Sequence, residues 1–164
     1  MKNDDEQGLA CTGADQTSLE LFAQARRELR CYIDDPVATV DKAIAASPGF
    51  AMAHVLRAYL HLLGTEPADI AVAKTSLEAA ARCGGDTRER AHQTAVHHLV
   101  EGRWHRAGPV LEDIAIEHPR DVLALQAGHL VDFYTGNARM LRDRIARALP
   151  AWSKDMPGYH ALLG

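Results

Sequence analysis

The stretch Gly102-Arg103-Trp104-His105-Arg106-Ala107-Gly108-Pro109-Val110-Leu111-Glu112-Asp113-Ile114, closed by Pro119, decides how this chain folds. Trp104, Ala107, Val110, Leu111 and Ile114 recur at helical spacing and form one buried stripe. Thirty-four residues later the register returns: Gly136 stands for Gly102, Leu141 for Ala107, Ile145 for Leu111 and Ala148 for Ile114. A fixed period in this range marks a repeat architecture, and this one suits a pair of antiparallel helices per unit. Each pair buries its apolar face only against its neighbours, so the expected product is an all-α stack with two extended surfaces.

Outward from that stretch, eight helices are expected. Thr17 or Ser18 can cap the first, whose Leu21, Phe22, Ala25 and Leu29 share a face. Asp35 caps and Pro36 opens the second, which stops at Ser47-Pro48-Gly49. The apolar segment from Phe50 to Leu63 ends at Gly64. Pro67 opens a fourth helix carrying Ile70, Ala73, Leu77 and Ala81, which stops at Gly84-Gly85. Asp86 or Thr87 caps the fifth, and Gly102 ends it. Pro109 requires the sixth to begin at Ala107 or to kink. Leu123 to Tyr134 makes the seventh, and Met140, Leu141, Ile145 and Leu149 mark the eighth. No segment alternates apolar and polar residues for long, so no strand is expected. Residues 1–16, with Gly8, Gly13 and scattered polar groups, read as a flexible lead-in.

The glycine at the turn, the small Ala107 at the closest helix approach, Leu111 one turn on and Pro119 at the stop resemble the second half of a tetratricopeptide unit. On this reading residues 17–164 are a tetratricopeptide-like helical-hairpin solenoid of about four repeats, 17–50, 51–87, 88–121 and 122–155. Val40, Ala43 and Pro48 repeat the later spacings. The unit 51–87 is three residues longer than the others and needs an extended turn near Gly64–Pro67 or Gly84–Thr87. The alternative is a generic helical bundle of coincidentally similar hairpins. A closer likeness is carried by Phe50-Ala51-Met52-Ala53-His54, by Thr87-Arg88 and Arg90, and by His118-Pro119-Arg120-Asp121-Val122-Leu123-Ala124-Leu125. Asp132-Phe133-Tyr134 with Gly136, Arg142-Asp143-Arg144-Ile145, Pro150-Ala151-Trp152 and Pro157-Gly158-Tyr159 extend it. These resemble the tetratricopeptide repeat protein 38 family, whose members are several times longer, so the chain looks like an amino-terminal third. The resemblance implies fold and compartment and no particular reaction.

Composition removes several classes. Eighteen basic against 22 acidic residues give a net charge of −4 with no basic tract, so no nucleic-acid footprint is present. No apolar run is long enough to span a bilayer, and Met1-Lys2-Asn3-Asp4-Asp5-Glu6 turns acidic at once, unlike a secretory signal. Cys11, Cys31 and Cys83 lack a Cys-x-x-Cys spacing and suit free thiols in the cytoplasm.

Nine histidines invite a metal or acid–base reading. On one helix, His97 lies about 140° and His98 about 240° around from His92, so the three do not converge on one ion. His54 and His61 lie two turns apart. No nucleophile elbow, phosphate loop or dinucleotide fingerprint occurs. No catalytic residue, cofactor or metal is therefore expected, and the histidines read as packing groups between helices. The arginines Arg26, Arg27 and Arg30, and Arg139, Arg142, Arg144 and Arg147, are interleaved with acids and read as solvated faces.

The first helix of each hairpin would line a concave groove. Matching the register places Val55, Tyr59, Leu62, His92, Val96, Leu99, Gln126, Leu130, Phe133 and Tyr134 there as partner-binding residues. The groove is apolar, so a carboxylate-gripping role does not fit. Core packing is one account; a missing carboxy-terminal segment, a second copy or an apolar partner helix are the others. The expected function is a non-enzymatic protein–protein interaction scaffold with an unidentified protein or peptide partner, neither nucleic acid nor membrane. A homodimer is expected through the last hairpin, where Ile145, Leu149 and Trp152 would present an uncovered flank. The alternative is an enzyme or small-molecule binder completed by absent repeats or a second subunit, with His92, His98 or His129 contributing.

Overall fold

Short polar side chains set where five of the eight helices start. Asp15, Asp35, Asp86, Asp121 and Asn137 each accept a backbone N–H from the first turn that follows them, which satisfies a donor the helix itself cannot. The computed structural model describes residues 2–156 and 158–160. Eight α-helices dominate these: α1 (Gln16–Cys31), α2 (Pro36–Ala46), α3 (Ala51–Leu63), α4 (Ile70–Cys83), α5 (Thr87–Val100), α6 (Trp104–Glu117), α7 (Val122–Tyr134) and α8 (Ala138–Ala148). Short 3-10 turns sit at Pro67–Asp69 and Leu149–Ala151. The protein is all-α in its main body, as the periodicity requires. Among the described residues no helix is long and apolar enough to cross a membrane.

Several local expectations need correction. The cap of α1 is Asp15, with Ser18 returning the bond to the Asp15 N–H in a capping box. The sixth helix begins at Trp104 and continues through Pro109. Proline has no N–H to give the His105 carbonyl, so that one bond is missing from the helix. The longer turn of the second hairpin, by contrast, lies at the first of its two expected places, between α3 and α4, where the 3-10 turn at Pro67–Asp69 lengthens the connection.

The lead-in is not featureless. Residues 2–12 form an antiparallel hairpin, β1 (Lys2–Asp4) with β2 (Ala10–Thr12), in the register Lys2 to Thr12 and Asp4 to Ala10. Asp5 closes its turn by accepting the Gln7 and Leu9 N–H groups. Strands of three residues are too short to show alternation, and a pair this small needs docking to persist. It docks by burying Cys11 in the main core and through the Ala10 carbonyl, Thr12 and Asp5, which meet Arg88, Glu89 and Arg26.

Short connections make sequential helices antiparallel neighbours. Helix α1 packs on α2, α3 on α4, α5 on α6 and α7 on α8, and each hairpin also touches the next. The first helices form an inner layer of their own: α3 touches α1, α5 and α7, and α7 also reaches α1. One core runs through the stack, from Phe22 and Val40 through Phe50, Leu56 and Val96 to Leu111 and Leu123. A second, smaller cluster gathers Ala115, Val122, Leu125 and Ala148 around Trp152, with Met156 and Tyr159 packed on it. Trp152 Nε1 donates to the Pro119 carbonyl at 2.9 Å. Trp152 is therefore buried under its own chain, and the flank expected to pair two copies is covered there. Of the apolar run from Pro157 to Leu163, only Gly158, Tyr159, His160 lie within the described residues.

Candidate functional site

The groove does not stand open. Val55, Tyr59, Leu62, His92, Val96 and Leu99 are buried in the core, which corrects the placement of Val55, Tyr59, His92 and Val96 on an open surface, while Leu62 and Leu99 form the floor of a cleft. The reason lies in the inner layer: α3 touches α5 and α7 directly, so these side chains meet each other. Gln126 and Leu130 are half-buried. Only Phe133 and Tyr134, 63% and 46% exposed, reach the surface as expected.

At the centre lies a chain of buried polar groups. The Tyr59 hydroxyl is 3.2 Å from His92 Nδ1, and His92 Nε2 is 3.0 Å from Asp121 Oδ2. A carboxylate only accepts, so Nε2 carries a proton, and the Tyr59 hydroxyl also donates to the His92 carbonyl at 3.4 Å. Arg88 Nη1 donates to the same Asp121 oxygen at 2.7 Å, and the Ala124 N–H donates to the other at 3.0 Å. Burial works against the Asp121 charge, but His92, Arg88 and the Ala124 N–H outweigh it and hold the carboxyl well below the usual range. Burial, with the Asp121 charge beside it, pushes the Tyr59 phenol well above its ordinary value. None of Tyr59, His92 and Asp121 lines a cleft described below. Sealed in this way, the chain of bonds ties α3, α5 and α7 together.

Arg88 and Glu89 carry the connection on to the hairpin. Arg88 Nη2 donates to the Ala10 carbonyl at 2.8 Å. Glu89 Oε1 accepts the Thr12 N–H at 2.8 Å, and its Oε2 accepts the Thr12 hydroxyl at 2.6 Å. Nothing in the spacing of the sequence points to these contacts, which join residues more than seventy positions apart.

One stretch of accessible apolar surface lies along the edge where hairpin turns meet. A cleft of about 290 Å³ is lined by Leu62, Thr65, Glu66, Pro67 and Ile70 on one side and Leu99, Val100, Gly102 and Trp104 on the other. Trp104 forms the shared wall with a second cleft of about 250 Å³ between α6, α7 and α8. Trp104 packs edge-on against Tyr134, with ring centres 5.5 Å apart, and Tyr134 against Phe133 at 5.6 Å. The Tyr134 hydroxyl donates to the Leu63 carbonyl at 2.9 Å, fixing the ridge across the end of α3. Trp104 and Ile70 are absent from the expected partner residues because the helical periodicity assigns them to buried stripes rather than to an edge.

The second cleft has an ionic floor. Arg144, 1% exposed, donates to both Asp132 oxygens at 2.8 and 3.2 Å and to the Gly108 carbonyl at 3.3 Å. Its Nη1 lies 3.1 Å from Glu112 Oε2, and Arg147 pairs with the other Glu112 oxygen. Gly128 leaves room for this guanidinium, since a Cβ there would meet Arg144 Cζ at 2.6 Å. Arg144 is thus a core ion, not the solvated surface charge its neighbours in sequence suggest.

Of the other histidines, His98 is half-buried and His129 likewise, and neither joins His92. Among the described residues no group of three or more His, Cys, Asp and Glu could hold a metal ion. The cysteines are free. Compared with known proteins, the chain matches no family model and no solved structure.

Proposed function

We propose that this chain is a non-enzymatic protein–protein interaction scaffold built from four tetratricopeptide-like hairpin repeats, with the Trp104–Tyr134–Phe133 ridge as its partner-binding surface. The observation that carries the reading is the exposure of Phe133 beside a rigid aromatic pair and an apolar cleft. Aromatic groups on a rigid edge, flanked by a cleft, are the usual anchors of protein recognition. Burying one such side chain contributes about 1.5–3 kcal/mol. The repeat reading is supported by four sequential hairpins and by Gly102 and Gly136, which take the same left-handed turn at φ 69° and 70°. Kinship with the tetratricopeptide repeat protein 38 family and a cytoplasmic location belong to the same reading and rest on the motifs and free thiols described above.

The test is site-directed photocrosslinking from position 133 and, as control, from position 32, where Tyr32 is 82% exposed. A partner is expected to couple at 133 and not at 32, and an adduct of twice the chain mass would identify the homodimer. Equal coupling at both positions, or none at 133, overturns the ridge as the binding surface.

A second reading, small-molecule binding, is favoured by one feature of the cleft between α6, α7 and α8. Glu112 and Arg144, paired with each other and, for Glu112, with Arg147, line this cleft, where a polar ligand could meet them. A thermal-shift screen separates the two, because only this reading predicts a large specific shift that Arg144→Met removes.

A further inference from the structure

The amino-terminal hairpin is held in an unusual way. The helices supply side chains, and the hairpin presents mostly backbone: the Ala10 carbonyl to Arg88, and the Thr12 N–H with its hydroxyl to Glu89. Arg26 of α1 adds a third anchor, pairing at 2.8 Å with Asp5, both side chains 3% exposed. Recognition of a main chain by fixed side chains is how proteins grip an extended segment.

Two of the three anchors, Arg88 and Glu89, are positioned without help from the hairpin, whereas Arg26 takes its ion pairs from Asp5 and Glu6 of the hairpin itself. Arg88 is held by Asp121 at the start of α7. Glu89 belongs to the capping box of α5, its Oε2 accepting the Asp86 N–H at 2.8 Å while its own N–H donates to Asp86. Arg26 lies against the Phe22 ring on its own helix, 4.4 Å from the ring centre. A site whose groups are locked by their own elements is preorganised for its occupant. The occupant is the opposite, two strands of three residues joined to α1 through Gly13 at φ +79°, too small to hold its shape alone.

We propose that α1 and α5 form a peptide-docking site whose resident ligand is the chain's own residues 2–14, and that it exchanges this ligand for a partner's extended segment of the same chemistry. That chemistry is a carboxylate for Arg26, a backbone carbonyl for Arg88, and an N–H with an adjacent Ser or Thr hydroxyl for Glu89. The site is separate from the aromatic ridge and stands or falls without it. A tethered ligand competes at an effective concentration of about millimolar, so the occupied site would answer weakly to a free peptide until the tether's hold is reduced.

Cys11 reports the exchange. It is fully buried in β2, and burial together with the Asp5 charge pushes its thiol up to about 12. Cys31 is exposed and Cys83 half-buried. The full chain carrying Asp5→Asn and Thr12→Val weakens the resident ligand and leaves Arg26, Arg88 and Glu89 intact. A fluorescent peptide of residues 2–14, with Cys11→Ser to keep it inert, is added to this variant and to wild type, and anisotropy is read. Alkylation at each cysteine is followed in parallel by mass spectrometry, and helicity by circular dichroism.

The expected result is saturable binding to the variant at least about tenfold tighter than to wild type, with Cys11 alkylated at least tenfold faster in the variant and Cys83 unchanged. A scrambled peptide does not bind. If the variant keeps its helicity and binds no peptide, the site does not accept a ligand in trans and the proposal fails. If the variant loses helicity, or Cys83 opens together with Cys11, the hairpin is an inseparable part of the core and the proposal also fails.

Discussion

Replacing Asp121 tests whether the buried polar centre is assembled as described. In Asp121→Ala three partners lose their acceptor at once: Arg88 at 2.7 Å, His92 at 3.0 Å and the Ala124 N–H at 3.0 Å. Removing one member of a buried ion pair costs about 3–5 kcal/mol, because the other charge stays buried. Arg88 keeps its bond to the Ala10 carbonyl, which places the loss toward the lower end. Losing the α7 cap adds about 1 kcal/mol. The expected total is about 4–5 kcal/mol, a large part of the 5–15 kcal/mol typical of a domain. Asp121→Asn keeps a capping oxygen and the volume but not the charge, so it should lose about 1 kcal/mol less. Urea denaturation followed by circular dichroism measures both. The pH dependence gives an independent check. The native carboxyl is held below its ordinary value of 3.8, so its stabilisation is complete above that pH and is lost as the pH falls. Wild type should lose up to about 1.4 kcal/mol per pH unit below pH 4 from this group, and Asp121→Asn should lack that component. An alanine variant within 1 kcal/mol of wild type, or equal acid slopes in wild type and Asp121→Asn, would refute the reasoning.

Three further outcomes are expected. Gly128→Ala gains about 1 kcal/mol of helix propensity in α7, yet its Cβ would strike the Arg144 guanidinium; a net loss of about 1–3 kcal/mol is expected in denaturation, and net stabilisation would contradict the packing of that ion. Ala107→Trp, at a fully buried position between the helices of one hairpin, should destabilise by about 1–3 kcal/mol or more, and an unchanged melting temperature would break the assigned register. Phe133→Ser should leave the melting temperature within about 2 °C of wild type, since a substitution at an exposed position usually changes stability by under 0.5 kcal/mol, while abolishing the crosslink from a neighbouring ridge position; a crosslink of undiminished yield would remove Phe133 from the partner surface.

The helices were legible because their determinants are local. Asp35 and Pro36, the Asp86 cap, and the glycines at 102 and 136 act within a few residues of themselves, and the structure uses them as the sequence suggests. The Asp15 cap was missed because Thr17 and Ser18 are also good capping residues, and only the reciprocal bond between Ser18 and Asp15 decides among them. The hairpin was missed for a different reason: its strands are three residues long, and what stabilises it sits on α1 and α5. The burial of Arg144 was likewise invisible, since its counter-ion Asp132 is on another helix and its space comes from Gly128. Sequence period reports which face of a helix is apolar. It does not report what that face meets.

That gap explains the groove. Val55, Tyr59, Leu62, His92, Val96 and Leu99 satisfy the pattern of an inner surface, and the pattern is the same whether the surface faces a partner or another helix. Energy decides between them. Burying the five apolar members of this set is worth about 1.5–3 kcal/mol each, on the order of 10 kcal/mol in sum, which is comparable with the whole stability of a domain. An open groove would forgo most of that in the absence of a partner. Closing it brings the inner helices into contact and forces polar groups inside with them, which is why Tyr59, His92, Asp121 and Arg88 form one connected chain: each buried donor or acceptor left alone would cost about 1–3 kcal/mol. Once the inner face is committed to the core and the hairpin, the apolar groups that remain available are those the closure cannot reach. Among these are Phe133 and Tyr134, which stand beside Trp104 at the turn edge.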